Sequence, residues 1–149
     1  MTLAIDNQRE STMRILSSLL FGAALIGMGA AAPAAPRDNS KAEAKLAKAL
    51  EGRVPGKPVS CITLSNVTSS QIYDGTAIVY RSGSTLYVNR PRMGQTSLDS
   101  DDILVSRTFG SQLCSLDTIN LVDRTSRFQT GFVGLGEFVP YTKVKAVKG

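Results

Sequence analysis

A chain of 149 residues that is 42% hydrophobic and 19% charged has the profile of one ordinary globular domain and excludes a wholly disordered one. With no Trp and only 6% aromatic residues, the core must come mainly from Val, Ile and Leu, which favours strands. The formal charge of +5 would suit a polyanion, but the 17 basic residues are spread along the chain rather than clustered, which argues against nucleic-acid binding.

From Met13 the chain reads "MRILSSLLFGAALIGMGAAAPAAP": a basic residue, an apolar run from Ile15 to Met28, then small residues. This is the three-part pattern of a secretory signal peptide. The apolar run is shorter than the roughly 20 residues of a transmembrane helix, so no stable membrane span is expected after cleavage, placed after Ala34 or alternatively Ala31. Ahead of it, Arg9 and Arg14 are offset by Asp6 and Glu10. A start at Met13 gives the positive n-region that a start at Met1 lacks, so Met13 is the expected initiator.

The segment "NSKAEAKLAKALEG" predicts a helix from Lys41 to Glu51, with a capping box from Ser40 to Glu43 and a left-handed stop at Gly52. Its apolar side is narrow, as expected for a helix laid on a larger fold. "RVPGKP" then breaks the chain. From Val59 onward, short β-rich runs alternate with turn residues. In "TAIVYRSGSTLYVNR" a turn at Ser82-Gly83 pairs Val79 with Leu86 and Ala77 with Val88 on one side. Ile78, Tyr80, Thr85, Tyr87 and Asn89 then share the other. Both faces are partly apolar, which fits a covered central hairpin.

Further strands are predicted over 60–64, 103–109, 118–123 and, with an interruption, 128–139. Gly134 and Gly136 fall two apart, where missing side chains permit a sharp bend or a close neighbour. The expected fold is mainly β (α+β): a small coiled antiparallel sheet or partly open barrel of about five to seven strands with one N-terminal helix. The chain divides into residues 1–34 (extension and signal), 35–58 (helix and linker), 59–142 (β-rich domain) and 143–149 (flexible tail).

The chemistry is limited by the absence of histidine, which excludes Ser-His and Cys-His nucleophile systems. Two cysteines alone fall short of a zinc ligand set. The acidic run Asp99, Asp101, Asp102 lacks EF-hand spacing and reads as a solvated turn, and nothing in the sequence brings Asp74 and Asp117 together as a hydrolytic pair. "GFVGLGEF" reverses the order of the dinucleotide fingerprint, and no helix pattern follows it. No cofactor and no metal are expected.

In an exported domain, Cys61 and Cys114 most simply form a disulfide, closing a loop of about 54 residues and contributing about 4 kcal/mol by chain entropy. A thiol nucleophile at Cys114 would need a nearby Lys or Arg to lower its pKa. Asp117, three residues on, reads as a turn former whose carboxylate accepts local backbone N–H groups.

"LEGRVPGKPVSCI", "TLYVNRPR", "LCSLDTINLVDR" and "LGEFVPY" resemble a family of small exported proteobacterial proteins known as a domain of unknown function. The likeness runs from about Leu50 to Thr142. Some relatives carry a second cysteine pair at positions corresponding to Gln95 and Val133, so no role resting on four cysteines transfers. The resemblance implies a bacterial envelope, hence the periplasm, and supplies no catalytic residue.

The expected function is that of a non-catalytic periplasmic domain binding an envelope protein or anionic envelope polymer through one sheet face. Tyr80, Tyr87, Asn89, Arg90 and Arg92 are the candidate binding residues. The alternative is a histidine-free, carboxylate-dependent hydrolase acting on an envelope polymer.

Overall fold

The computed structural model describes residues 38–108 and 110–144. The expected start, signal and cleavage site, and the tail from residue 145, lie outside them. Helix α1 spans Ser40–Ala49 and buries Ala42 and Leu46. Its capping box does not form. Asn39 takes the N-cap position without a side-chain cap, its carboxamide donating instead to the Gly75 carbonyl at 2.7 Å. Glu43 turns outward to Arg90. At the other end Gly52 adopts the expected left-handed conformation, with φ +70°.

Among the described residues ten strands follow in three antiparallel sheets, without a closed barrel. They are β1 (Arg53–Pro55), β2 (Cys61–Thr63), β3 (Ser69–Tyr73), β4 (Ala77–Ser82), β5 (Thr85–Asn89), β6 (Asp102–Ser106), β7 (Gln112–Cys114), β8 (Thr118–Asp123), β9 (Gln129–Gly134) and β10 (Phe138–Lys143). The five-stranded sheet has the order β1-β10-β5-β4-β3, the three-stranded sheet β6-β8-β9, and β2 pairs with β7. The fold is therefore β-rich as expected, with more strands than the five to seven read from the pattern. The additional ones, β1, β3 and β7, are short or polar: "RVP", "SSQIY" and "QLC".

The hairpin of β4 and β5 turns one residue later than the sequence suggests. Ser82 pairs with Thr85, Val79 with Val88 and Tyr80 with Tyr87, leaving Gly83-Ser84 as the central pair. Gly83 has φ +56° and Ser84 is not in the left-handed region, the pattern of a type II′ turn. Moving the turn by one residue changes each partner by two, so the side-chain parity and both facing sets survive.

One face of the five-stranded sheet receives α1: Leu46 packs with Tyr73, Ala77, Val79, Leu86 and Val88. The opposite face meets the two smaller sheets. There Ile72, Ile78, Tyr80 and Phe138 close on Ile62, Leu113, Ile119, Leu121 and Val133 in the larger core. Gly134 and Gly136 do not lie together in a strand. Gly134 ends β9, and the chain crosses to the other sheet before β10. A Cβ on Gly136 would collide with the Arg90 carbonyl oxygen.

Cys61 and Cys114 are directly opposed in the β2–β7 ladder, form a disulfide, and hold their Cα atoms 4.0 Å apart. Ser115 donates to Ser60 at 2.7 Å and Leu64 to Ser111 at 2.8 Å. By alternation, the cysteines occupy a non-hydrogen-bonded pair, where antiparallel Cα atoms approach most closely. Asp117 behaves as the turn former expected: its Oδ2 accepts the Cys114 N–H at 2.7 Å.

Candidate binding surface

The five candidate binding residues do not form an open face. Tyr80 is only 4% exposed, and its ring meets Phe138 edge-on, with centroids 5.8 Å apart. Burial raises its phenol pKa, and its hydroxyl has no hydrogen-bond partner among the described residues. Tyr87, half-buried, packs against the same cluster. Asn89 is wholly buried: its Nδ2 donates to the Gly136 carbonyl at 2.6 Å, and the Gly136 N–H donates to its Oδ1 at 3.2 Å. One side chain thus bonds both backbone groups of the crossover.

The arginines are committed as well. Arg90 makes a two-pronged contact with Glu43, Nη1 to Oε1 at 2.6 Å and Nη2 to Oε2 at 2.9 Å, tying α1 to the end of β5. Its guanidinium lowers the Glu43 carboxyl pKa by hydrogen bonding first and charge second. Arg92 donates from Nε to the Leu135 carbonyl at 2.8 Å and from Nη2 to the Ser115 carbonyl at 2.9 Å. The expected face is corrected to architecture, because the two small sheets cover the side of the hairpin that carries Tyr80, Tyr87 and Asn89.

The carboxylates gather in one surface hollow of about 360 Å³, lined by Asp99, Asp101, Asp102 and Asp123. Most hold local structure. Asp99 Oδ1 accepts the Asp101 N–H at 2.9 Å, Asp102 Oδ2 the Thr130 hydroxyl at 2.8 Å, and Asp123 Oδ1 the Thr125 N–H at 3.0 Å. The Asp123 carboxyl is lowered, chiefly by the Ser126 backbone N–H, whereas a general acid needs its pKa raised. Among the described residues no group of three or more His, Cys, Asp or Glu is arranged to hold a metal ion. Asp74 and Asp117 serve separate backbone donors, Ser100 and Cys114.

Besides single exposed side chains such as Leu116 and Phe128, an open apolar strip lies on the outer face of the three-stranded sheet. Register places Val105, Asn120 and Phe132 in one row across β6, β8 and β9, with Ile103 and Val122 in the next. Phe132 is 52% exposed, Met93 59% and Val105 38%. The Met93 side chain occupies the space where a Cβ on Gly134 would stand, extending the apolar strip. In the sequence Phe132 shows only as one of two alternating apolar positions beside Val133. Period two assigns them to opposite faces without saying which is covered.

Among the described residues no helix is long and apolar enough to cross a membrane. Comparison of the chain with protein-family models, with curated proteins and with solved structures returns no match.

Proposed function

We propose that this chain is an exported, non-catalytic β-domain of the bacterial periplasm, belonging to the small proteobacterial envelope family that its motifs resemble. It binds an envelope protein through the outer face of its three-stranded sheet. The observation that carries this reading is the exposure of Phe132, Met93 and Val105 together on a regular sheet face. Aromatic and Met side chains are the types enriched at protein interfaces. The disulfide supports an oxidising compartment. The positive charge would favour approach to an anionic envelope polymer without supplying an apolar anchor.

The test is photocrosslinking in the native host, with a photoreactive amino acid at Phe132. A discrete adduct at native expression, lost when Val105→Asp is added to the face, is the expected outcome. An unbroken absence of any specific adduct overturns the reading.

A further inference from the structure

The five-stranded sheet ends at β3 and the three-stranded sheet at β6. These two edges flank a single cleft of about 450 Å³, lined by Ser70, Gln71 and Ile72 from one side and Ile103 and Leu104 from the other. The direction of the backbone groups follows from alternation in antiparallel ladders. Val59 and Phe138 exchange both backbone bonds at 2.9 Å, so Phe138 faces away from β5. The registers through β10, β5, β4 and β3 run without a shift. Counting across them, Gln71 bonds to Val79, while Ser70 and Ile72 direct their N–H and C=O groups into the cleft.

The second wall follows by the same count. Leu135 donates to the Asp117 carbonyl at 3.0 Å, so the odd-numbered residues of β8 face β9 and the even-numbered ones face β6. Asn120 then bonds to Val105, and Leu104 directs its backbone away from β8. No backbone bond from elsewhere among the described residues reaches Ser70, Ile72 or Leu104.

The opposite edge of the large sheet is protected in the usual ways: β1 has three residues and carries Arg53 and Pro55. Strand β3 has five residues with neither charge nor proline, a pattern that invites pairing. We infer that the cleft accepts one extended peptide strand from another polypeptide, hydrogen-bonded to β3 on one side and β6 on the other. A folded sheet, including a second copy of this chain, presents one free edge. Only a lone strand presents two, and both walls here are edges.

Ile72 and Leu104 belong to the larger core and its margin, so the inward position of the peptide is apolar. Arg124 and Asp102 also line the cleft. Asp102 is buried and accepts the Thr130 hydroxyl, whereas Arg124 has no ion pair among the described residues, so an acidic residue of the segment is favoured only beside Arg124. This site shares Ile103 with the margin of the Phe132 face, but its test reads different atoms, the backbone amides of Ser70, Ile72 and Leu104.

The probes are synthetic peptides selected from a random twelve-residue display library on the purified, disulfide-bonded protein. Bound peptide is expected to slow hydrogen exchange at the Ser70, Ile72 and Leu104 amides. Ser70→Pro, which removes an outward donor while sparing the β4 ladder, is expected to weaken binding at least about tenfold. Ser70→Ala should leave it within about twofold, since the contact is to the backbone. If Ser70→Pro does not fold, the exchange pattern of the unaltered protein decides. Selected peptides that leave those three amides unprotected overturn the inference, as does a library yielding no binder tighter than about 100 μM.

Discussion

The inner face of the five-stranded sheet and the outer face of the three-stranded sheet are written in the same alternating apolar code, yet one is sealed and the other open. On the first, Tyr80 and Phe138 are almost fully buried, and on the second Phe132 is half exposed. Cover makes the difference, and cover comes from distant segments. Strands β2, β7, β8 and β9 close over the hairpin face, whereas among the described residues no further strand joins the β6-β8-β9 sheet, beyond which Met93 alone bridges to Gly134. An aromatic residue on a sheet face is therefore open to a partner only when no distant segment of the chain covers it.

The sharpest way to break this contrast is to truncate one phenylalanine on each face. Phe138→Ala removes a fully buried ring and should cost about 3–5 kcal/mol, while Phe132→Ala should stay within about 0.5 kcal/mol. Urea melts of the two variants check it, and similar losses would erase the distinction. Replacing both cysteines by Ala should cost about 2–4 kcal/mol, with about 4 expected from the loop closed by Cys61 and Cys114. This would show how much of the seal over the hairpin depends on the β2–β7 clasp.

A smaller effect of opposite sign is expected from Tyr80→Phe. The hydroxyl is buried and unpartnered, and its removal should raise stability by about 1 kcal/mol. A loss of that size in thermal melts would mean that the hydroxyl has a partner in solution.

The smallest effect belongs to the Arg90–Glu43 pair, half exposed on both sides and worth at most about 1 kcal/mol before screening by salt. Because the folded Glu43 carboxyl pKa is depressed, its contribution is present above the unfolded carboxyl value and disappears as pH falls through the folded one. Glu43→Gln should therefore be slightly less stable than the parent at pH 7, and the gap should close as acid protonates Glu43. A gap unchanged in acid would reject the ion pair as its source.

The β-rich class, the helix, the facing sets of the central hairpin and the disulfide were all legible in the sequence, because each rests on local spacing or on the presence of only two cysteines. Strands β1 and β3 were not. They are the edges of the large sheet, where Pro55, Ser69 and Ser70 are tolerated because one side of the strand needs no ladder partner. The capping box failed because Glu43 has a stronger partner in Arg90, 47 positions away, which no local rule contains. The candidate face failed for the same reason: Asn89 looks like an exposed strand end until Gly136 is brought against it by the crossover.

Strand β10 is the last of the described strands, yet it lies inside the large sheet, between β1 and β5. Until β10 has been made, the two halves of the sheet that it joins have no common neighbour, and β1 has no ladder partner. Completion of this fold thus waits on synthesis through Lys143, and loss of that one strand would remove a central seam rather than trim an edge.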